Sequence, residues 1–331
     1  MSEVASPSVP AARIDHQPGR HCASSAIRDL LAFHGVSLSE AMCFGLGAGL
    51  GITYLELPDA PVPFMVHVRS LGFEERVFRS IGVPFAWATF DTPDLATAAL
   101  HDALDAGRPA LLLTDIFHLP YFGSRTHFPG HAIVAWARSP ETNTILVTDT
   151  ERPDPVDVAG ESMSQARFSN QLPFIHHGNM FAPHAILADP TTEQIANAIR
   201  YNAASLVAAV PNSGIPALRA WVNDLPRWEQ TGDWRWTTRF AYQVIEKRGT
   251  GGGGFRRMYA EFLEEAARND LRILQHGLPR LMRASEQQWS ILASELKTAS
   301  EGTRFPAALI ADAINAVMTA EQNYADAARE Y

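Results

Sequence analysis

The sequence predicts an α+β protein in which a strand-bearing first part is followed by a mostly helical one. The strands are predicted by two apolar, β-branched runs, "HAIVAWA" (131–137) and "TILVTDT" (144–150). The intervening "RSPETN" carries a Pro and an Asn that favour a turn, so the pair reads as a hairpin. The helices are predicted by long segments of helical periodicity from about Asp157 onward: "EQIANAIRYNAASLVAA", "IPALRAWVNDL", "FRRMYAEFLEEAARNDLRILQ" and "FPAALIADAINAVMTAEQNYADAARE". The expected division is a first domain over residues 12–156 and a helical domain over 157–331 that covers part of the first.

In chain order, a mobile tail is expected to end near Arg13, and its "MSEVASPSVPAARID" has neither the apolar core nor the charged leader of a secretory signal. From Cys22 to His34, the residues Ala23, Ile27, Leu30, Leu31 and His34 recur at helical spacing, and Gly35 suits the left-handed position that ends a helix. Ser37 and Glu40 make a capping-box pattern before "AMCFG", and "GLGAGLG" follows as a flexible loop. "ITYLEL" reads as a short strand, "PDLATAALHDALDAG" as a helix closed by Gly107, and "PALLLTDIF" as a buried strand starting at its proline.

The chain has 331 residues, 46% of them hydrophobic, and no apolar run long enough to span a bilayer. Its net charge of −9 would repel a phosphate backbone, which argues against nucleic acid as a partner. Two cysteines cannot build a disulfide framework, so a reducing cytoplasm is the expected compartment.

Cys22 stands where a helix begins. Unpaired N–H groups and the dipole at that end favour the thiolate, which is the nucleophilic form. A thiolate enzyme also wants an imidazole beside it and a third group to orient that imidazole. If the hairpin pairs symmetrically, Ile133 faces Asp149 and His131 is the diagonal neighbour of Asp149, with Cβ atoms about 7 Å apart or less. Cys, then His opening a strand, then Asp ending the next is the papain-like order.

The segments "HCASSAIRDLLAFHG", "LSEAMCFGLGAGLGITYL", "GHAIVAWA", "ILVTDT" and "GTGGGGFRRMYAEFLEEA" together resemble the butirosin-biosynthesis (BtrH-type) acyltransferase family. The resemblance spans nearly the whole chain. It implies a papain-like N-terminal domain, a helical C-terminal domain, and transfer of an acyl group from an acyl or peptidyl carrier protein thioester to a small-molecule amine. On that reading Cys22 is the nucleophile, His131 the general base and acid, and Asp149 the group that holds the imidazole tautomer. No cofactor of its own is implied, because phosphopantetheine arrives on the carrier protein. The Cys22 backbone N–H is one oxyanion donor, and either His16 or Gln17 supplies the second. Two other readings use the same scaffold: a cysteine peptidase or amidase with water as acceptor, and a non-catalytic binding module.

Elsewhere, Cys43 reads as a small core residue and His34 as packing or capping the first helix. His176, His177 and His184 lack the spacing of metal ligands, and no metal is expected. "GTGGGGF" reads as a hinge or as a helix N-terminus for an anionic group. With Lys247, Arg248, Arg256 and Arg257 around it, Arg256 and Arg257 are the expected contacts for an acidic carrier protein or its phosphate.

Overall fold

A computed structural model describes residues 14–57, 62–171, 174–186 and 189–331; the expected N-terminal tail lies outside them. The elements run α1 (Cys22–Phe33), α2 (Glu40–Leu46), β1 (Leu50–Glu56), β2 (Phe64–Arg69), α3 (Phe73–Ser80), α4 (Pro93–Asp105), β3 (Ala110–Thr114), β4 (His131–Ser139), β5 (Thr144–Thr148), β6 (Val156–Ala159), α5 (Gly160–Arg167) and β7 (Met180–Phe181). Helices follow: α6 (Thr192–Val207), α7 (Gly214–Glu229), α8 (Trp234–Glu246), α9 (Arg256–Ala266), α10 (Arg272–Gln275), α11 (Leu278–Glu301) and α12 (Ala307–Glu330). The fold class is α+β, as the sequence predicts.

The chain forms two compact units, and they are not consecutive. One comprises Met1–Cys43 with Gly82–Asp189; the other comprises Phe44–Ile81 with Pro190–Tyr331. The expected boundary at 156/157 therefore does not coincide with either unit. The β1–β2 hairpin joins the helical unit because its apolar face is completed there. Tyr54 stacks on Phe64 and Trp221, Phe64 stacks on Trp228, and the Trp228 indole donates to the Tyr54 hydroxyl at 2.9 Å. Asn202 of α6 extends the strand hydrogen bonding, its amide pairing with both the N–H and the C=O of Leu50 at 3.1 and 2.8 Å.

The first unit is built on an antiparallel sheet of order β6-β5-β4-β3-β7. Leu112, Ile133, Ala135 and Val147 of the sheet share a buried cluster with Leu100, Ala103 and Leu104 of α4 and with Met163 and Ala166 of α5. The predicted hairpin is β4–β5. Val134 faces Thr148 and Ala135 faces Val147, the symmetric register, and a bulge at Trp136 then shifts the turn half by one residue. The bulged Trp136 is fully buried and donates its indole N–H to Thr148 Oγ1 at 2.9 Å.

Three local expectations are corrected. Ser39, not Ser37, caps α2, its hydroxyl accepting the Met42 N–H at 2.9 Å, which leaves Glu40 free of a capping box. "GLGAGLG" is a packed turn: a Cβ on Gly45 would lie 2.2 Å from the Phe262 ring and one on Gly47 2.3 Å from Phe73, so glycine here serves close approach. "GTGGGG" is likewise buried over most of its length and not a hinge. The N–H groups of Gly252 and Gly253 are taken by Thr250 Oγ1 and the Glu246 carboxylate, which occupies the place an anionic ligand would need.

The same region holds the two expected carrier contacts in different surroundings. Arg256 is fully buried: its guanidinium binds Glu321 at 2.7 Å and the Gly254 carbonyl at 2.6 Å, and it packs over the Trp289 ring. Glu321 also accepts from Ser285 and from the Trp289 indole, at 2.6 and 2.7 Å. Arg257 is half-exposed and paired with Glu286 at 2.7 Å. Arg256→Ala would leave Glu321 buried and uncompensated, so the helical unit should lose about 3–5 kcal/mol of stability. Urea unfolding followed by tryptophan fluorescence measures this; an unchanged midpoint would mean that Arg256 contributes little to the core.

Candidate active site

Cys22 is the first residue of α1, and three elements fix it there. The His21 side chain caps the helix, its ring accepting the Ser24 N–H at 3.3 Å. The Glu40 carboxylate, released from the expected capping box, accepts the backbone N–H groups of Arg20 and His21, both at 2.8 Å. Gly19 donates to the Thr150 carbonyl at 2.9 Å, and the Ser25 hydroxyl meets Thr150 Oγ1 at 2.8 Å. These last two contacts join the turn before the cysteine to the chain just after Asp149. A Cβ on Gly19 would lie 2.6 Å from Ser25 Cβ, so the approach admits no larger residue.

His131 opens β4 and Asp149 follows β5, on the symmetric side of the bulge, and their side chains meet with Nε2 and Oδ2 2.8 Å apart. Nε2–H therefore points to the carboxylate, which leaves Nδ1 for the Cys22 sulfur. Burial pulls the His131 pKa down, but the charge and hydrogen bond of Asp149, joined by the interaction with Cys22, outweigh it and hold the imidazolium form up. Burial likewise pushes Asp149 up, and its bonds from His131, the Tyr121 hydroxyl and the Thr150 backbone bring it below the usual carboxylate range. Cys22 is partly exposed, its sulfur 4.0 Å from the Gly130 carbonyl. The arrangement can form a thiolate–imidazolium pair at a helix N-terminus with one side open to substrate.

Tyr121 is a site residue that the sequence reading missed. It lies on a short 3-10 turn and donates to Asp149 Oδ2 at 2.6 Å, and burial together with the Asp149 charge keeps it a protonated phenol. Arg152 stacks over its ring and donates to its carbonyl. Asp29 is the second missed residue. Buried on α1, it joins His16 Nδ1 at 2.6 Å, Arg28 at 2.8 Å and the Thr148 hydroxyl at 3.4 Å.

The two residues expected to offer the second oxyanion donor both take part in this network. Both ring nitrogens of His16 are committed, Nδ1 to Asp29 and Nε2 to the Arg152 carbonyl at 2.7 Å. Burial works against its charged form, yet these two acceptors raise its pKa above the ordinary histidine value. Gln17 is exposed, and its carbonyl is held by Arg28. Cys22 stands at the first position of α1, where backbone N–H groups point out of the helix end.

The other histidines separate by environment. His34 forms the C-cap of α1, with its ring edge-on to Phe33. His176 is buried, donates to the Pro129 carbonyl and is held neutral chiefly by burial, whereas His177 is exposed and His184 lines a cavity of about 520 Å³ with His34 and Arg108. A cluster the sequence did not suggest is Asp115, His118 and His127, whose ligand-type atoms lie within 4.8 Å of one another. Asp115 already accepts from the backbone of Phe117 and Phe128, from Ser169 and from His127, at 2.7–3.1 Å, so hydrogen bonds satisfy it.

Two family models match the chain: butirosin biosynthesis protein H, N-terminal, over residues 21–150, and a domain of unknown function (DUF4872) over 161–328, just over half of the chain. The chain belongs to this BtrH-type family. The first match contains Cys22, His131 and Asp149, and begins just before the cysteine. No curated protein matches the chain. Among the described residues, no helix is long and apolar enough to cross a membrane.

Asp149→Asn removes the negative charge that supports the His131 imidazolium, and with it positive charge beside the Cys22 sulfur. The pH midpoint of Cys22 alkylation by iodoacetamide should therefore rise, with the rate near pH 6 falling by about tenfold. An unchanged profile would show that the carboxylate only orients the ring.

Proposed function

We propose that this protein is a cysteine-dependent acyltransferase that moves an acyl group from a carrier-protein thioester to an amine, forming an amide in natural-product biosynthesis. The observation that carries the reading is Cys22 at the first residue of α1 beside a histidine that Asp149 holds by Nε2 and keeps poised as imidazolium. The name of the matching family, butirosin biosynthesis protein H, supports a place in antibiotic assembly.

The Cys22 thiolate attacks the thioester carbonyl, and the developing oxyanion is stabilised by the Cys22 backbone N–H. Collapse expels the carrier thiolate, which takes the proton from the His131 imidazolium and leaves as a thiol. An amine then attacks the acyl-enzyme carbonyl while neutral His131 accepts its proton, and the Cys22 thiolate departs to restore the starting pair. Asp149 and Tyr121 keep the imidazole in one orientation through both steps. Phosphopantetheine enters only as part of the donor. Arg256 is enclosed in the core, and Arg257, half-exposed beside Glu286, is the one of the two expected carrier contacts that a carrier protein can reach.

The test is turnover of a carrier-bound acyl donor by the full-length protein with a panel of amines, with amide and free acid quantified by mass spectrometry. Amide should dominate at saturating amine. Cys22→Ala and His131→Ala should each lower kcat/KM by about a thousandfold or more, because the groups act as a unit, and Asp149→Asn should cost less. Free acid as the main product at saturating amine would make the protein a hydrolase, and full activity of Cys22→Ala would refute cysteine chemistry altogether.

A further inference from the structure

The first unit exposes its large apolar side chains unevenly. Among the described residues, Leu95 stands alone on α4, while Phe117, Phe128, Phe174 and Ile175, each 37–52% exposed, all lie on two loops, 115–130 and 174–176. Hydrogen bonds tie these loops to buried groups. Asp115, buried, accepts the N–H groups of Phe117 and Phe128 at 3.1 and 3.0 Å and the Ser169 hydroxyl at 2.7 Å. His176 donates its backbone N–H to the Ser169 carbonyl and its ring N–H to the Pro129 carbonyl, tying one loop to the other. A buried polar centre thus fixes the backbone while the apolar side chains face water, an arrangement that costs free energy unless something covers them.

The patch adjoins the reacting sulfur. A Cβ built on Gly130 would lie 3.2 Å from the Phe174 ring and 3.4 Å from the Phe128 ring, so both rings rest against that glycine. The Gly130 carbonyl is 4.0 Å from Cys22 Sγ, and the next residue is His131, with the Phe122 ring edge-on to its imidazole at 5.0 Å. The segments that form the wall are Phe-Pro-Gly (128–130) and Phe-Ile (174–175), with no charged side chain among them.

The geometry points to an acyl subsite: Phe128 and Phe174, with Ile175 beside them, receive an apolar acyl group carried on the Cys22 sulfur, and so make the enzyme selective for apolar over short or charged acyl donors. This inference rests on the acyl-transfer reading above. Each methylene laid against the rings leaves water, so donor reactivity rises with chain length. An ammonium or carboxylate on the acyl group finds no partner on this wall and pays its own desolvation.

The experiment measures thiol release from acetyl, octanoyl and ω-aminoacyl thioesters of N-acetylcysteamine by the full-length protein. Octanoyl should exceed both others in kcat/KM by about tenfold or more, as expected if two or more methylenes are buried. In Phe128→Ser/Phe174→Ser that octanoyl-to-acetyl ratio should fall by about tenfold, and in Leu309→Ser, an exposed apolar position on α12, it should keep the wild-type value. Should the double variant fail to fold, Ile175→Ser, a change at a half-exposed position, should still lower the ratio several-fold. A wild-type ratio near one, or a ratio that neither patch variant changes, would overturn the subsite. No release from any thioester while iodoacetamide still alkylates Cys22 would instead overturn the acyl-transfer reading and the subsite with it.

Discussion

The candidate site depends on one clamp, between the turn that precedes α1 and the chain that leaves β5. Gly19 and Ser25 grip Thr150 from one side, and Asp29 reaches Thr148 from the other, so the residues flanking Asp149 are both tied to the segment that carries Cys22. The cysteine and the aspartate are far apart in sequence, yet neither can shift without breaking buried hydrogen bonds. Preorganisation of this kind would spare the proposed reaction the cost of assembling its groups. Removal of a donor from such a network leaves a buried acceptor unpaired, which costs more than the bond itself contributes.

The same rule governs charge throughout the molecule. Buried carboxylates come with partners: Asp149 with His131 and Tyr121, Asp29 with His16 and Arg28, Asp115 with His127 and Ser169, Glu321 with Arg256, Ser285 and Trp289. In three of them the carboxylate fixes backbone or side chains around a loop; at Asp149 alone it also supports an imidazole next to a thiol. That difference, and the partial exposure of Cys22, sets the proposed catalytic group apart from the other buried carboxylates.

The meeting of His131 and Asp149 is legible in the sequence because its signals are local. A cysteine at a helix start, and a hairpin whose near half pairs symmetrically, are enough to bring His131 and Asp149 together; the bulge at Trp136 alters only the half next to the turn. Supporting residues are less legible because their partners lie far along the chain. Tyr121 meets a carboxylate 28 residues away, and His16 is drawn off by Asp29 and Arg152 where a family analogy alone makes it an oxyanion donor. Glu40 was hidden by an apparent capping box, and its real work is to hold the amides before Cys22. Arg256 shows the limit of reading charge from sequence: a basic residue beside glycines looks like a docking site until Glu321, 65 residues on, encloses it in the core. The domain division escaped for the same reason, since the aromatic partners that claim the β1–β2 hairpin are Trp221 and Trp228.

The central claim is that Cys22 carries the acyl group. The direct measurement is to mix the protein with an acyl thioester in the absence of amine, quench in acid, and locate the mass gain by peptide mapping. A single acyl adduct on Cys22, abolished by iodoacetamide pretreatment, is the predicted result. An adduct confined to the buried Cys43, or thioester consumption without any adduct in a protein whose Cys22 is blocked, would contradict it.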